Sequence, residues 1–244
     1  MAKITGNFAW NKPEVYTSFV QGKDAKAVYN SLEGAMANEM SYDEASKTLI
    51  GSNLFASARI DTLVKPLGMR VANLRDLSRP EVMSIVKDMY YTDAPALVFR
   101  SMDGSYEANL PLIKQLAEQI EQANGKLQLP VLVTGFDVKV IKDKTGYGLA
   151  LVPRDDFKAV PDKRLSEQYN GSRFSAVDEQ GLPLFDDNGS RTWYVRSNGL
   201  SRLYLNWNLN VCSYDENLAN SNSSGLVVVV SAEGNAKNLE GRVK

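Results

Sequence analysis

Three arginines and four aromatics interleave in residues 191–211, RTWYVRSNGLSRLYLNWNLNV, and no acidic residue interrupts them. Aromatic rings stack on unpaired bases and arginines neutralise phosphates, so this is the composition of a single-stranded nucleic-acid platform. The same residue types are favoured at protein–protein interfaces and as cross-strand pairs on ordinary exposed sheets.

Strand parity divides the stretch, because successive side chains point to opposite faces. From Ser201 onward the odd positions are Leu203, Leu205, Trp207, Leu209 and Val211, which reads as a core face. The even positions are Arg202, Tyr204, Asn206, Asn208 and Asn210, a polar outer face. Asn198-Gly199 favours a two-residue turn, which would pair the limb Arg191–Arg196 with this strand. In one register the outer face holds Arg191, Trp193, Arg202 and Tyr204. Shifted by one, it holds Tyr194, Arg196, Arg202 and Tyr204. Arg202 and Tyr204 share a face in both, so they head the candidate binding residues, followed by Arg191, Trp193, Tyr194 and Arg196.

Other constellations carry less. DDNGS at 186–190 places Asp186, Asn188 and Ser190 at alternate positions, like the start of a calcium loop. The glycine position of that pattern falls on Arg191 and its closing glutamate on Ser197, so a turn is expected instead. Asp137 and Lys139 share a strand face behind a helix bearing Glu118 and Glu121, the minimal pattern of a carboxylate nuclease dependent on Mg²⁺. Alternate charges on a hairpin are more simply its solvated face. TGYG at 145–148 lacks the lysine and the following helix of a phosphate loop. Ser57, Ser101 and the other serines have no histidine base.

The last point is global: the chain of 244 residues contains no histidine and one cysteine, Cys212. Ser-His-Asp and Cys-His catalysis are excluded, and a Cys/His zinc site cannot be assembled within the chain. No metal site and no cofactor are expected, and the chain reads as non-enzymatic. A lone cysteine suits a reducing compartment, so the cytoplasm is expected, or a virion assembled from cytoplasmic protein. No apolar run is long enough to span a bilayer, and no secretory signal is recognised at the start. The formal net charge is −1, yet it segregates. Residues 176–190 carry four acids and no base, whereas 191–212 carry three arginines and no acid.

The elements that must position these residues read as α+β. An aromatic arm, residues 1–22, precedes a helical region that runs to 92. Its signals are a capping-box pattern at Ser41 and Glu44, a helix ending near Pro66 and Gly68, and a start at Ser78, Pro80 and Glu81. Val82, Ile85, Val86 and Met89 follow at helical spacing. The arm, with Phe8, Trp10, Tyr16 and Phe19, is expected to pack on its own domain. Residues 94–134 read as strand–helix–strand, with Asn109 and Pro111 opening the helix and Gly125 closing it. If its strands are parallel the crossover is right-handed. A hairpin spans 136–152, turns fall at DEQG and DDNG, and LVVVV near 226 is a buried strand. The whole is an N-terminal helical region, a strand–helix–strand unit and a mainly antiparallel sheet or partly closed barrel. The segments are 1–92, 93–234 and a loose tail from 235. The function expected is a binding protein for single-stranded nucleic acid through the face of Arg202 and Tyr204. The alternative is a phage-like assembly protein that self-associates through that face and the arm, and a membrane partner is not expected.

Overall fold

A computed structural model describes residues 3–10, 16–88, 91–143 and 145–231. Its strands and helices run β1 (Thr17–Phe19), α1 (Ala25–Tyr29), β2 (Ser41–Asp43), β3 (Thr48–Ile50), α2 (Leu54–Val64), β4 (Met69–Val71), α3 (Pro80–Val86), β5 (Tyr91–Phe99), α4 (Leu110–Asn124), β6 (Val131–Val140), β7 (Leu149–Pro161), β8 (Arg173–Val177), β9 (Pro183–Phe185), β10 (Arg191–Val195), β11 (Leu200–Asn206), β12 (Val211–Ser213) and β13 (Val228–Ser231). The α+β class stands. The main sheet has eight strands in the order β7-β6-β5-β11-β12-β10-β8-β9. It is antiparallel except where β10 runs parallel to β12, and it stays open, with β7 and β9 at its edges.

The apolar strand faces explain the layering. Leu97, Phe99, Val131, Val133 and Leu200 pack on one side with the buried faces of α2 and α4. Val98, Leu132, Leu203, Leu205 and Trp193 pack on the other, with Val82 and Val86 of α3. The valine run does both: Val227 and Val229 join the first cluster and Val228 and Val230 the second. This strand, β13, sits between β1 and β4 in a three-stranded sheet.

Several elements follow the sequence. In α4, Leu112, Ile113, Leu116, Ala117 and Ile120 are buried, Pro111 lies in the first turn and Gly125 closes the helix at φ 74°. The hairpin pairs β6 with β7 and bends at Gly135, whose φ is 72°. A Cβ there would collide with the Asp156 carbonyl, so glycine is required. DEQG and DDNG are turns, the Asp186 carboxylate accepting from the Asn188 N–H. Phe8 and Tyr16 of the arm are buried against the chain's own core. The Asp24 carboxylate also accepts the Thr5 and Asn7 N–H groups.

Two expectations are corrected, and one condition is not met. Ser41 and Glu44 do not cap a helix. They belong to the β2–β3 hairpin, where the Asp43 carboxylate accepts the Ala45 and Ser46 N–H groups and holds the chain in a turn. The region up to 92 therefore mixes α1, α2 and α3 with short strands. β5 and β6 are antiparallel, so the handedness rule for parallel crossovers does not apply to α4. Met89 and the tail from 235 lie outside the described residues.

Candidate ligand pocket around Arg202

The hairpin expected at Asn198-Gly199 does not form. The Arg100 N–H donates to the Gly199 carbonyl and the Ser101 hydroxyl accepts from the Gly199 N–H. The chain is thereby delivered onto β5, and β11 pairs with β5 on one side and β12 on the other. Because β12 separates β10 from β11, neither anticipated register exists. The turn that does form follows Asn206. Its side-chain oxygen accepts the N–H groups of Asn208 and Asn210, and Leu209 adopts φ 61°. Strand parity holds through Leu205 and ends there. Trp207, expected in the core, stands 56% exposed.

The candidate residues separate. Trp193 is fully buried, its indole N–H donating to the Arg164 carbonyl at 2.8 Å. Arg191 is buried too. Its Nε donates to the Leu209 carbonyl, its Nη1 to the Ser78 hydroxyl, and its guanidinium lies 4.6 Å from the Phe174 ring centroid. Burial lowers its pKa to about 10. Both are buried on the far side of β12 from Arg202. Arg196 is half-buried and pairs with Glu216. Tyr194 is exposed and meets Tyr214 edge-on at 6.4 Å.

Arg202 and Tyr204, expected on an open face, are both buried, Arg202 to 4% exposure. The cover comes from the loop after β12, which parity within one strand cannot see. The guanidinium lies 4.4 Å from the Tyr204 ring centroid and 5.1 Å from that of Tyr91. Its Nε donates to Asp215, and its Nη1 to Asp93 at 3.1 Å and to the Asn220 carbonyl at 2.7 Å. Nη2 has no hydrogen-bond partner among the described residues. Arg202 lines a cavity of ≈ 360 Å³ whose other walls are Tyr91, Tyr204, Trp207 and Tyr214, with Asp215 and three asparagines, Asn206, Asn220 and Asn222.

The electrostatics of this site are closed on themselves. Asp93 is fully buried on β5, and burial raises its pKa to about 6 against the opposing pull of Arg202 and the Ser52 hydroxyl. Burial alone would lower the Arg202 pKa; Asp93 and Asp215 outweigh it and hold the group above its ordinary value. Burial also pushes the Tyr204 hydroxyl upward and the Cys212 thiol to about 12. The arginine is thus a paired cation with one nitrogen unbonded among the described residues, not a free positive charge.

Reading one strand missed Tyr91, Asp93, Tyr214, Asp215 and the loop asparagines. One signal was available: Asp93 interrupts an otherwise apolar strand, and a carboxylate there demands a cation. Elsewhere, Asp137 is buried and bonded to Arg59 at 2.9 Å, while Lys139, Glu118 and Glu121 are exposed. Among the described residues no group of three His, Cys, Asp or Glu side chains is placed to hold a metal, and no helix is long and apolar enough to cross a membrane. Comparison with protein-family models, with curated proteins and with solved structures finds no significant match.

Proposed function

We propose that this chain is a non-enzymatic binding protein that takes unpaired bases of single-stranded nucleic acid in the pocket around Arg202 and Tyr204. One observation carries the reading: a buried guanidinium with an open Nη2 forms part of an aromatic-walled cavity with two exposed rings, Trp207 and Tyr214, at its rim. Tyr194 extends the aromatic row past the cavity through Tyr214, which gives a second base a surface to stack on. The cytoplasm, or a virion loaded from it, suits the single buried cysteine.

The role of arginine differs from the one composition suggests. Asp93 and Asp215 more than offset its charge, so the pocket reads the base and leaves the phosphate to solvent. Affinity should then depend only weakly on salt, since few counterions are released. Titration of Trp fluorescence with a mixed single-stranded oligonucleotide tests this. Quenching that is lost in Trp207→Ala is expected, with affinity falling roughly 5-fold or more. No binding at low salt overturns the proposal.

The exposed rings also support a second reading, self-association through the rim of Tyr194, Trp207 and Tyr214. The arm no longer favours it, since Phe8 and Tyr16 are buried at home. Light scattering separates the two: an oligomer dissolved by Trp207→Ala supports assembly.

A further inference from the structure

We infer that the cavity recognises the imide edge of a thymine or uracil base, the run of carbonyl, N–H and carbonyl. The inference rests on the nucleic-acid reading above and deepens it. The hydrogen-bonding groups left without a partner on the residues that line the cavity carry the argument. The Asn206 Oδ1 is committed to two backbone N–H groups, which fixes the amide and leaves Nδ2 open. The Asn222 Oδ1 accepts the Ser224 N–H, and its Nδ2 is likewise open. Asn220 is held the other way: its Nδ2 donates to Asp215, so its Oδ1 is open. With the Arg202 Nη2, the open atoms of these four residues are three donor nitrogens and one acceptor oxygen.

A ligand that satisfies this set must present mostly acceptors and one donor. The imide edge does so, with two carbonyl oxygens flanking a single N–H. Cytosine, a pyrimidine of nearly the same shape, replaces one carbonyl and the N–H by an amino group and a bare ring nitrogen. Adenine likewise offers an amino donor beside an acceptor. Guanine adds an exocyclic amine, a second donor, and among these four residues the single open acceptor is the Asn220 oxygen that its ring N–H would take. Phosphate gains little, because Arg202 is already paired with Asp93 and Asp215. The aromatic walls suit a flat ring of any kind, so the selectivity falls to the edge.

The test is fluorescence titration of the full chain with oligothymidylate, oligouridylate, oligocytidylate and oligoadenylate of equal length. Thymidylate and uridylate should bind about tenfold tighter than cytidylate, the scale of one mismatched edge. Cytidylate is the decisive comparison because it shares the ring size of thymidylate. Asn222→Asp keeps the oxygen that accepts the Ser224 N–H and turns the open donor into an acceptor. The thymidylate-to-cytidylate ratio should collapse in that variant while circular dichroism stays unchanged. Equal affinity for thymidylate and cytidylate, or a ratio untouched by Asn222→Asp, overturns the inference and leaves base binding standing. Failure of all four homopolymers to bind overturns the nucleic-acid reading itself.

Discussion

Arg100 and Arg202 are two buried arginines, one following β5 and one on the neighbouring β11, 6% and 4% exposed, and they are held in opposite ways. Arg100, just beyond β5, gives all of its nitrogens to neutral oxygens. Nε donates to the Leu165 carbonyl, Nη1 to the Ser201 hydroxyl and Nη2 to the Ser213 hydroxyl and carbonyl. Among the described residues no carboxylate pairs with it, and burial, with Arg196 nearby, lowers its pKa to about 9. Arg202 is held by two carboxylates and keeps one nitrogen for the cavity. A guanidinium whose every donor is spent on the chain is a clamp between strands. One whose charge is offset by carboxylates but whose donors are not all spent can recognise a ligand.

Removing each side chain should expose that difference. Arg202→Met leaves Asp93 as an uncompensated buried charge, and about 3–5 kcal/mol of stability should be lost at neutral pH. Asp93 can escape by taking a proton, and without Arg202 it does so more readily than at its present value of about 6. The loss should therefore shrink as the pH falls toward 5, read from urea midpoints at the two pH values. An equal loss at both would break the comparison, because it would mean that the carboxylate is not what suffers.

Arg100→Met takes a donor from two hydroxyls and two carbonyls but leaves no unpaired charge, and Ser201 and Ser213 still bond to each other. Its cost should be smaller, about 1–3 kcal/mol. Arg100 is protonated in the folded and unfolded chains alike between pH 5 and 8, so the cost should not vary across that range. Base binding should survive wherever the variant is folded. A pH-dependent loss would show that the two arginines communicate.

Asp93→Asn sharpens the point from the other side. Because the folded state raises the Asp93 pKa, the folded chain binds the proton more tightly than the unfolded chain does. Stability from this group is thus greatest below about pH 4 and declines as pH rises through about 6. The slope cannot exceed about 1.4 kcal/mol per pH unit for one proton. Asn removes the titration, so the difference in stability between wild type and variant should trace that slope. A flat difference would clear Asp93 of the role.

The same contrast shows what a sequence can disclose. Helix α4 and the β6–β7 hairpin were legible because their signals are local: an apolar stripe with Pro111 and Gly125 at its ends, and alternation around a turn. The valine run of β13 was legible because it is buried on both sides. The β10–β11 hairpin failed although Asn-Gly is a strong turn signal, because β12 and β5 outcompete β10 for the edges of β11. Those pairings join residues distant in sequence, as do the contacts that bury Arg202: Asp93 lies 109 positions before it. The polar face of β11 was readable, but not the loop that covers it.

Trp207 is where a wrong parity meets the proposed function, and it gives the smallest effect on stability. The alternation assigned it to the core; Asn206 ends the strand by capping its own turn, and the indole is left outside. A buried tryptophan cut to alanine costs about 3–5 kcal/mol. An exposed one in a turn closed by other groups should cost about 0.5 kcal/mol or less. Trp207→Ala should therefore shift the urea midpoint little while it removes most of the affinity for single strands, the reverse of the pattern for Arg100→Met. If instead it unfolds the chain as far as Arg100→Met does, the indole is packed after all, and the rim of the pocket has to be redrawn around Tyr214 alone.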